Sequence, residues 1–95
     1  MNIDDLREAL NASPNNRPLR IILANSLFEK GLYEEAESHF LKVLQQQEEL
    51  KPRFALAQIW LKTDNPSTAI VFLEDSIEKY PQEATLVLEY PNFYR

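Results

Sequence analysis

Residues 19–44 read LRIILANSLFEKGLYEEAESHFLKVL, and residues 52–77 read PRFALAQIWLKTDNPSTAIVFLEDSI. Slid by thirty-three positions, the first stretch lays Leu23-Ala24 on Leu56-Ala57, Leu27 on Trp60, Ala36 on Ala69, Phe40 on Leu73 and Leu44 on Ile77. Each stretch holds two runs with apolar residues at helical spacing, parted by a turn. Leu19, Ile22, Leu23, Ser26 and Leu27 form the stripe of one helix, which Pro18 opens and Gly31 ends. Gly31 is the chain's only glycine, and a left-handed position just past a helix end is the place that needs one. Tyr33 to about Glu48 gives the next helix, with Ala36, Phe40, Val43 and Leu44 inward and Glu34, Glu35, Glu37 and Lys42 outward.

The second stretch repeats the plan. Pro52 opens a helix to Thr63 carrying Leu56, Ala57, Trp60 and Leu61, and Asn65-Pro66 supplies an N-cap and a first-turn proline for a helix ending near Tyr80. Ala69, Ile70, Leu73 and Ile77 are its expected inward residues. Ahead of both, residues 3–12 place Ile3, Leu6, Ala9 and Leu10 on one face, with Asn2 as N-cap and Asp4 and Asp5 at the positive end of the helix dipole. Ala9 to Pro14 match the end of the repeated unit, Ser76 to Pro81, so the chain reads as a half unit over 2–16, full units over 17–49 and 50–83, and a C-terminal helix or tail over 84–95. Glu83 to Glu89 is long enough for two helical turns before Pro91. Strand alternation persists nowhere, and the fold class is all-α.

These residues resemble the tetratricopeptide repeat family, whose 34-residue unit pairs two antiparallel helices with small residues where they cross. The resemblance covers roughly residues 2–83. It rests on Pro14-Asn15-Asn16 at the end of the half unit, on Leu23-Ala24, Leu27, Gly31, Tyr33, Ala36 and Phe40 in the first full unit, and on Leu56-Ala57, Trp60, Ala69, Leu73 and Pro81 in the second. The sequence departs from the pattern at Arg20 and Arg53, where the family favours a large aromatic, at Asp64-Asn65 in place of a turn glycine, and at Glu48 in place of proline. The resemblance implies a right-handed helical-hairpin solenoid of about two and a half repeats, with Ala24 against Ala36 and Ala57 against Ala69 letting the helices approach to about 8–10 Å.

A protein-interaction scaffold is the function so implied. In stacked repeats the first helix of each pair lines a concave groove, and here that face would carry Ile21, Asn25 and Phe28, then Lys51, Phe54, Gln58, Leu61 and Lys62. The amides can hydrogen-bond a peptide backbone whatever its side chains, while Phe28 and Phe54 offer area for an apolar anchor. Family members that clamp the carboxylate of a chaperone tail use lysines, asparagines and an arginine. Only Asn25 matches that scheme, and Ile21 stands where a lysine is required. The expected partner is therefore another protein or peptide. A competing expectation has Leu86, Leu88, Tyr90, Phe93 and Tyr94 of the same chain covering the groove.

Two alternatives concern assembly. The aromatic end Tyr90-Pro91-Asn92-Phe93-Tyr94-Arg95 is unlike the polar cap that usually closes a solenoid, and it would suit stacking between copies in a homo-oligomer. The leader from Leu6 to Arg20 also resembles short repeat segments that precede an AAA-type ATPase module in some bacterial proteins, which would make the chain one segment of a larger machine.

Composition excludes much else. Ten basic against fifteen acidic residues leave a net charge of −5 with no basic patch, which argues against nucleic acid. A lone glycine leaves no phosphate-cradling loop, and the absence of cysteine removes disulfides, thiolate metal sites and a cysteine nucleophile. No apolar run approaches the ~18 residues that span a bilayer, and the acidic Met1 to Asp5 is unlike a signal peptide, so a soluble cytoplasmic protein is expected. The only histidine, His39, has Glu35 one turn away, a pair that could bind a metal or move a proton; an exposed helix side chain is the simpler expectation. No enzyme activity and no cofactor are expected.

Overall fold

The computed structural model describes residues 2–83, all in helices and the turns between them. The helical turns expected up to Glu89 and the aromatic end, in either of its expected roles, lie outside the described residues. The chain divides between Glu48 and Glu49 into two compact units.

The first unit holds α1 (Ile3–Ala12), α2 (Arg17–Glu29) and α3 (Tyr33–Gln46). Asn2 caps α1 as expected: its side chain accepts from the Asp5 N–H at 2.8 Å, and the Asp5 carboxylate accepts from the Asn2 N–H at 3.4 Å. Asn16 caps α2 with its side chain alone, accepting from the Leu19 N–H. The core is Leu6 and Leu10 of α1, Leu23, Ala24 and Leu27 of α2, and Ala36, Phe40 and Val43 of α3. Arg17, at the start of α2, donates to the carbonyls of Val43 and Gln47 at the end of α3, the first of which also accepts from the Gln47 N–H.

The second unit holds α4 (Leu50–Lys62) and α5 (Pro66–Lys79). Leu50, Phe54, Ala57 and Ala69 form its core, with Trp60, Leu73 and Tyr80 packed against them. Ala24, Ala36, Ala57 and Ala69 are all fully buried, as residues at close helix approaches must be.

Both turns use a left-handed residue at the same repeat position. Gly31 has φ of 78°, and Asp64, thirty-three residues later, has φ of 61°. The next N–H reaches back five residues in each case, Leu32 to the Leu27 carbonyl at 2.9 Å and Asn65 to the Trp60 carbonyl at 2.8 Å. This closes the preceding helix.

Several expectations need correction. α4 begins at Leu50, two residues before Pro52, because a proline at the third helical position still lacks only an N–H that no intrahelical carbonyl would use. α3 stops at Gln46. Asn65 stands at the start of α5 without a capping side-chain bond, its amide donating instead to the Thr63 carbonyl. Ile22, Ile70 and Ile77 are exposed. The buried or half-buried stripe of α5 is Ala69, Phe72, Leu73, Ser76 and Tyr80, and that of α3 includes Ala36, His39, Phe40, Val43 and Leu44. Ile70 and Ile77 each lie one residue beyond such a stripe, about 100° around the helix.

Candidate functional site

Ile21, Asn25 and Phe28 follow one another at i, i+4 and i+7 on α2, so they share a face. Asn25 is exposed, while Ile21 and Phe28 are half-buried. The Phe28 ring meets Tyr33 edge to face with centroids 5.7 Å apart, which fixes its orientation. On α4, Lys51, Leu61 and Lys62 are exposed and Gln58 is half-buried. Phe54 differs from the expectation. It is 5% exposed and belongs to the core cluster with Leu50, Ala57 and Ala69, so it supports this face from beneath and offers no flat area to solvent. Its repeat counterpart Ile21 is smaller and stays half-exposed.

Asn25 and Gln58 occupy the same position in successive first helices. Neither amide has a hydrogen-bond partner among the described residues. Asparagine is a poor residue for a helix interior, and an amide that recurs at a surface with unsatisfied donors and acceptors is suited to bonding something outside the protein.

Arg20 and Arg53 form a second recurring feature, one that the sequence marks only as a departure. Arg20 donates from Nη1 to His39 Nδ1 at 2.9 Å and from Nη2 to the Pro14 carbonyl at 2.8 Å. Arg53 donates to Asp75 at 2.7 Å and to Ser76 Oγ at 3.2 Å, and its guanidinium lies 4.6 Å from the centroid of Phe72. The signal available in the sequence was the recurrence of arginine at one register position.

His39 is not an exposed side chain. It retains 16% of its exposure, and its Nδ1 serves as acceptor for Arg20, which has only donors to offer. Its proton therefore sits on Nε2, 4.0 Å from Glu35. Burial, and then the charge of Arg20, hold the imidazole below its ordinary titration range. Glu35 accepts from Arg7 Nε at 2.9 Å and Nη2 at 2.6 Å, and Arg7 also reaches Asp4 at 2.8 Å. Those bonds hold the Glu35 carboxyl below its ordinary range and raise the Arg7 guanidinium above its own. The His–Glu pair is thus engaged in joining α1, α2 and α3. No group of three or more His, Cys, Asp or Glu comes together among the described residues.

The outer surface of α5 carries the exposed Ile70, Val71 and Ile77. A cleft of about 520 Å³ opens along this helix, lined by Ser67, Thr68, Val71, Phe72 and Asp75. No described helix is long and apolar enough to cross a membrane.

A family model for the tetratricopeptide repeat matches residues 1–65. Tetratricopeptide repeat protein 8 of Homo sapiens is 29% identical over 75 residues, a match covering 79% of this chain and 14% of that protein. The protein of the same name from Mus musculus is also 29% identical over 75 residues, with 79% of this chain and 15% of the relative covered. The chain spans about one seventh of the length of these relatives.

Proposed function

This chain belongs to the tetratricopeptide repeat family, whose domains generally mediate protein–protein interactions, and from that premise we propose that it is a non-catalytic module holding a peptide or helix of a partner protein on the exposed faces of its first helices, α2 and α4. The recurring amides Asn25 and Gln58 carry the proposal, because they present the same donor and acceptor pair at the same place in two successive units. Ile21 and Phe28 supply apolar area beside Asn25, and Leu61 supplies it beside Gln58. Lys51 and Lys62 add positive charge to a chain of net charge −5, favouring a ligand with a carboxylate near its ends. Phe54 acts from within the core, setting the backbone that displays Gln58. The setting is the cytoplasm, and neither nucleic acid nor a lipid surface is the partner.

The test is selection from a displayed peptide library against the whole chain, followed by titration of the selected peptides against wild type and the variant combining Asn25→Ala with Gln58→Ala. Loss of two backbone hydrogen bonds should weaken binding by roughly tenfold or more. Unchanged affinity in the folded double variant would remove the assignment.

A second reading, that copies of the chain assemble, is favoured by the exposed Ile70, Val71 and Ile77 on α5. Light scattering over about a hundredfold range of concentration addresses it. A constant monomer mass would dispose of the reading.

A further inference from the structure

We propose that the His39–Arg20 contact makes the first helix pair sensitive to protonation in a way the second is not, so that mild acid loosens the packing of α2 on α3 while α4 and α5 keep theirs. The argument starts from hydrogen-bond bookkeeping. A guanidinium can only donate, so the 2.9 Å contact requires a lone pair on His39 Nδ1. Protonating the ring replaces that lone pair with a second N–H and sets two cations against each other at the same distance.

The surroundings give the protonated ring little relief. Arg20 faces it from α2 and is itself 8% exposed, and its Nε is already without a hydrogen-bond partner. Arg7 of α1 and Lys42 of α3 add further positive charge. Among the described residues Glu35 is the one anion acting on the ring, and it lies 4.0 Å away with both oxygens engaged by Arg7.

The direction of the effect follows from proton linkage. The unfolded ring takes a proton at about 6.5, whereas burial and the charge of Arg20 keep the folded ring neutral to lower pH. Between those points the unfolded state binds more protons, so stability falls as the pH falls. The second unit carries no such group. Phe72 stands at the position of His39, thirty-three residues on, and holds Arg53 over a ring that cannot titrate.

The inference does not depend on what the α2 face binds. It is tested by amide hydrogen exchange on the whole chain at about pH 7.5 and about pH 5.5, with protection corrected for intrinsic exchange. Protection across α2 and α3 should fall between these two points, by at most about tenfold, because the unfolded titration near 6.5 lies only about one unit above the lower pH. Protection across α4 and α5 should hold. His39→Phe gives the first unit the residue the second already uses, and the fall should vanish in that variant. An equal fall in His39→Phe, a uniform fall along the chain, or no fall in wild type would each overturn the proposal. Should His39→Phe fail to fold, an NMR titration of the imidazole in wild type decides. A midpoint below that of free imidazole with the proton on Nε2 supports it, and a midpoint at or above overturns it.

Discussion

Arg20 and Arg53 stand at the same position in successive helix pairs, and both are buried, retaining 8% and 4% of their exposure. Each is seated on the residue that the opposite helix places at one shared register, His39 under Arg20 and Phe72 under Arg53. The family's large aromatic is absent here, and the arginine stems fill its place while their head groups find local acceptors.

That arrangement makes the two ends of the Arg53–Asp75 pair unequal. Arg53→Ala removes buried stem volume, the contact over Phe72 and the bond to Ser76, and should cost about 3 kcal/mol. Asp75 is half-exposed at 51%, so solvent screens the pair and Asp75→Asn should cost only about 1 kcal/mol. Urea unfolding of both variants checks the order, and a larger loss in Asp75→Asn would contradict it.

The left-handed pair Gly31 and Asp64 predicts opposite signs for opposite substitutions. Space around Gly31 is open, since nothing lies within 4 Å of an added Cβ, so Gly31→Ala pays only for its backbone conformation at φ 78°, about 1 kcal/mol. Asp64→Gly relieves the same strain and should raise stability by about 0.5–1 kcal/mol. Thermal unfolding should move by about 4–8 °C per kcal/mol in a chain of this size. A lower midpoint in Asp64→Gly would refute the account of that turn.

Ala36 and Ala69 are fully buried at equivalent positions on the second helix of each pair. Ala36→Leu and Ala69→Leu should each destabilise by about 1–3 kcal/mol through overpacking. Unaltered melting in both would mean that the helices do not approach at these residues.

Glu35 should shape the acid limb of the stability curve. Hydrogen bonds from Arg7 hold its folded carboxyl below the ordinary value of 4.5, so the unfolded chain takes up the proton first. The contribution is present above about pH 4.5 and is lost as the pH falls through the folded titration. Glu35→Gln should flatten the decline in this range, as followed by circular dichroism. An identical acid profile would show that the Arg7 contact contributes nothing.

Much of the fold is legible in the sequence because its strongest signals are local. Asn2 with Asp5, Gly31 and the small Ala36 and Ala69 each satisfy a constraint that few residue types meet. Ile70 and Ile77 misdirect the reading because Phe72 and Ser76, a half-buried aromatic and a buried hydroxyl, share the inward stripe of α5 while apolar residues also sit just beyond it. Ser76 is tolerated inside because its hydroxyl donates to the Phe72 carbonyl at 2.7 Å and accepts from Arg53. The faces of α2 and α4 follow from periodicity alone. Side-chain size, which periodicity ignores, takes Phe54 into the core while Ile21 remains at the surface. His39 is misread for a different reason: its partner Arg20 lies nineteen residues away on another helix, where no local pattern reveals it.

The most direct test of the proposed binding face is an amide and side-chain NMR map of the whole chain with a library-selected peptide added. The account predicts that the perturbed signals gather on Ile21, Asn25 and Phe28 of α2 and on Lys51, Gln58, Leu61 and Lys62 of α4, with the side-chain amides of Asn25 and Gln58 among them. Perturbations confined to Ile70, Val71 and Ile77 on the outer surface of α5 would contradict it.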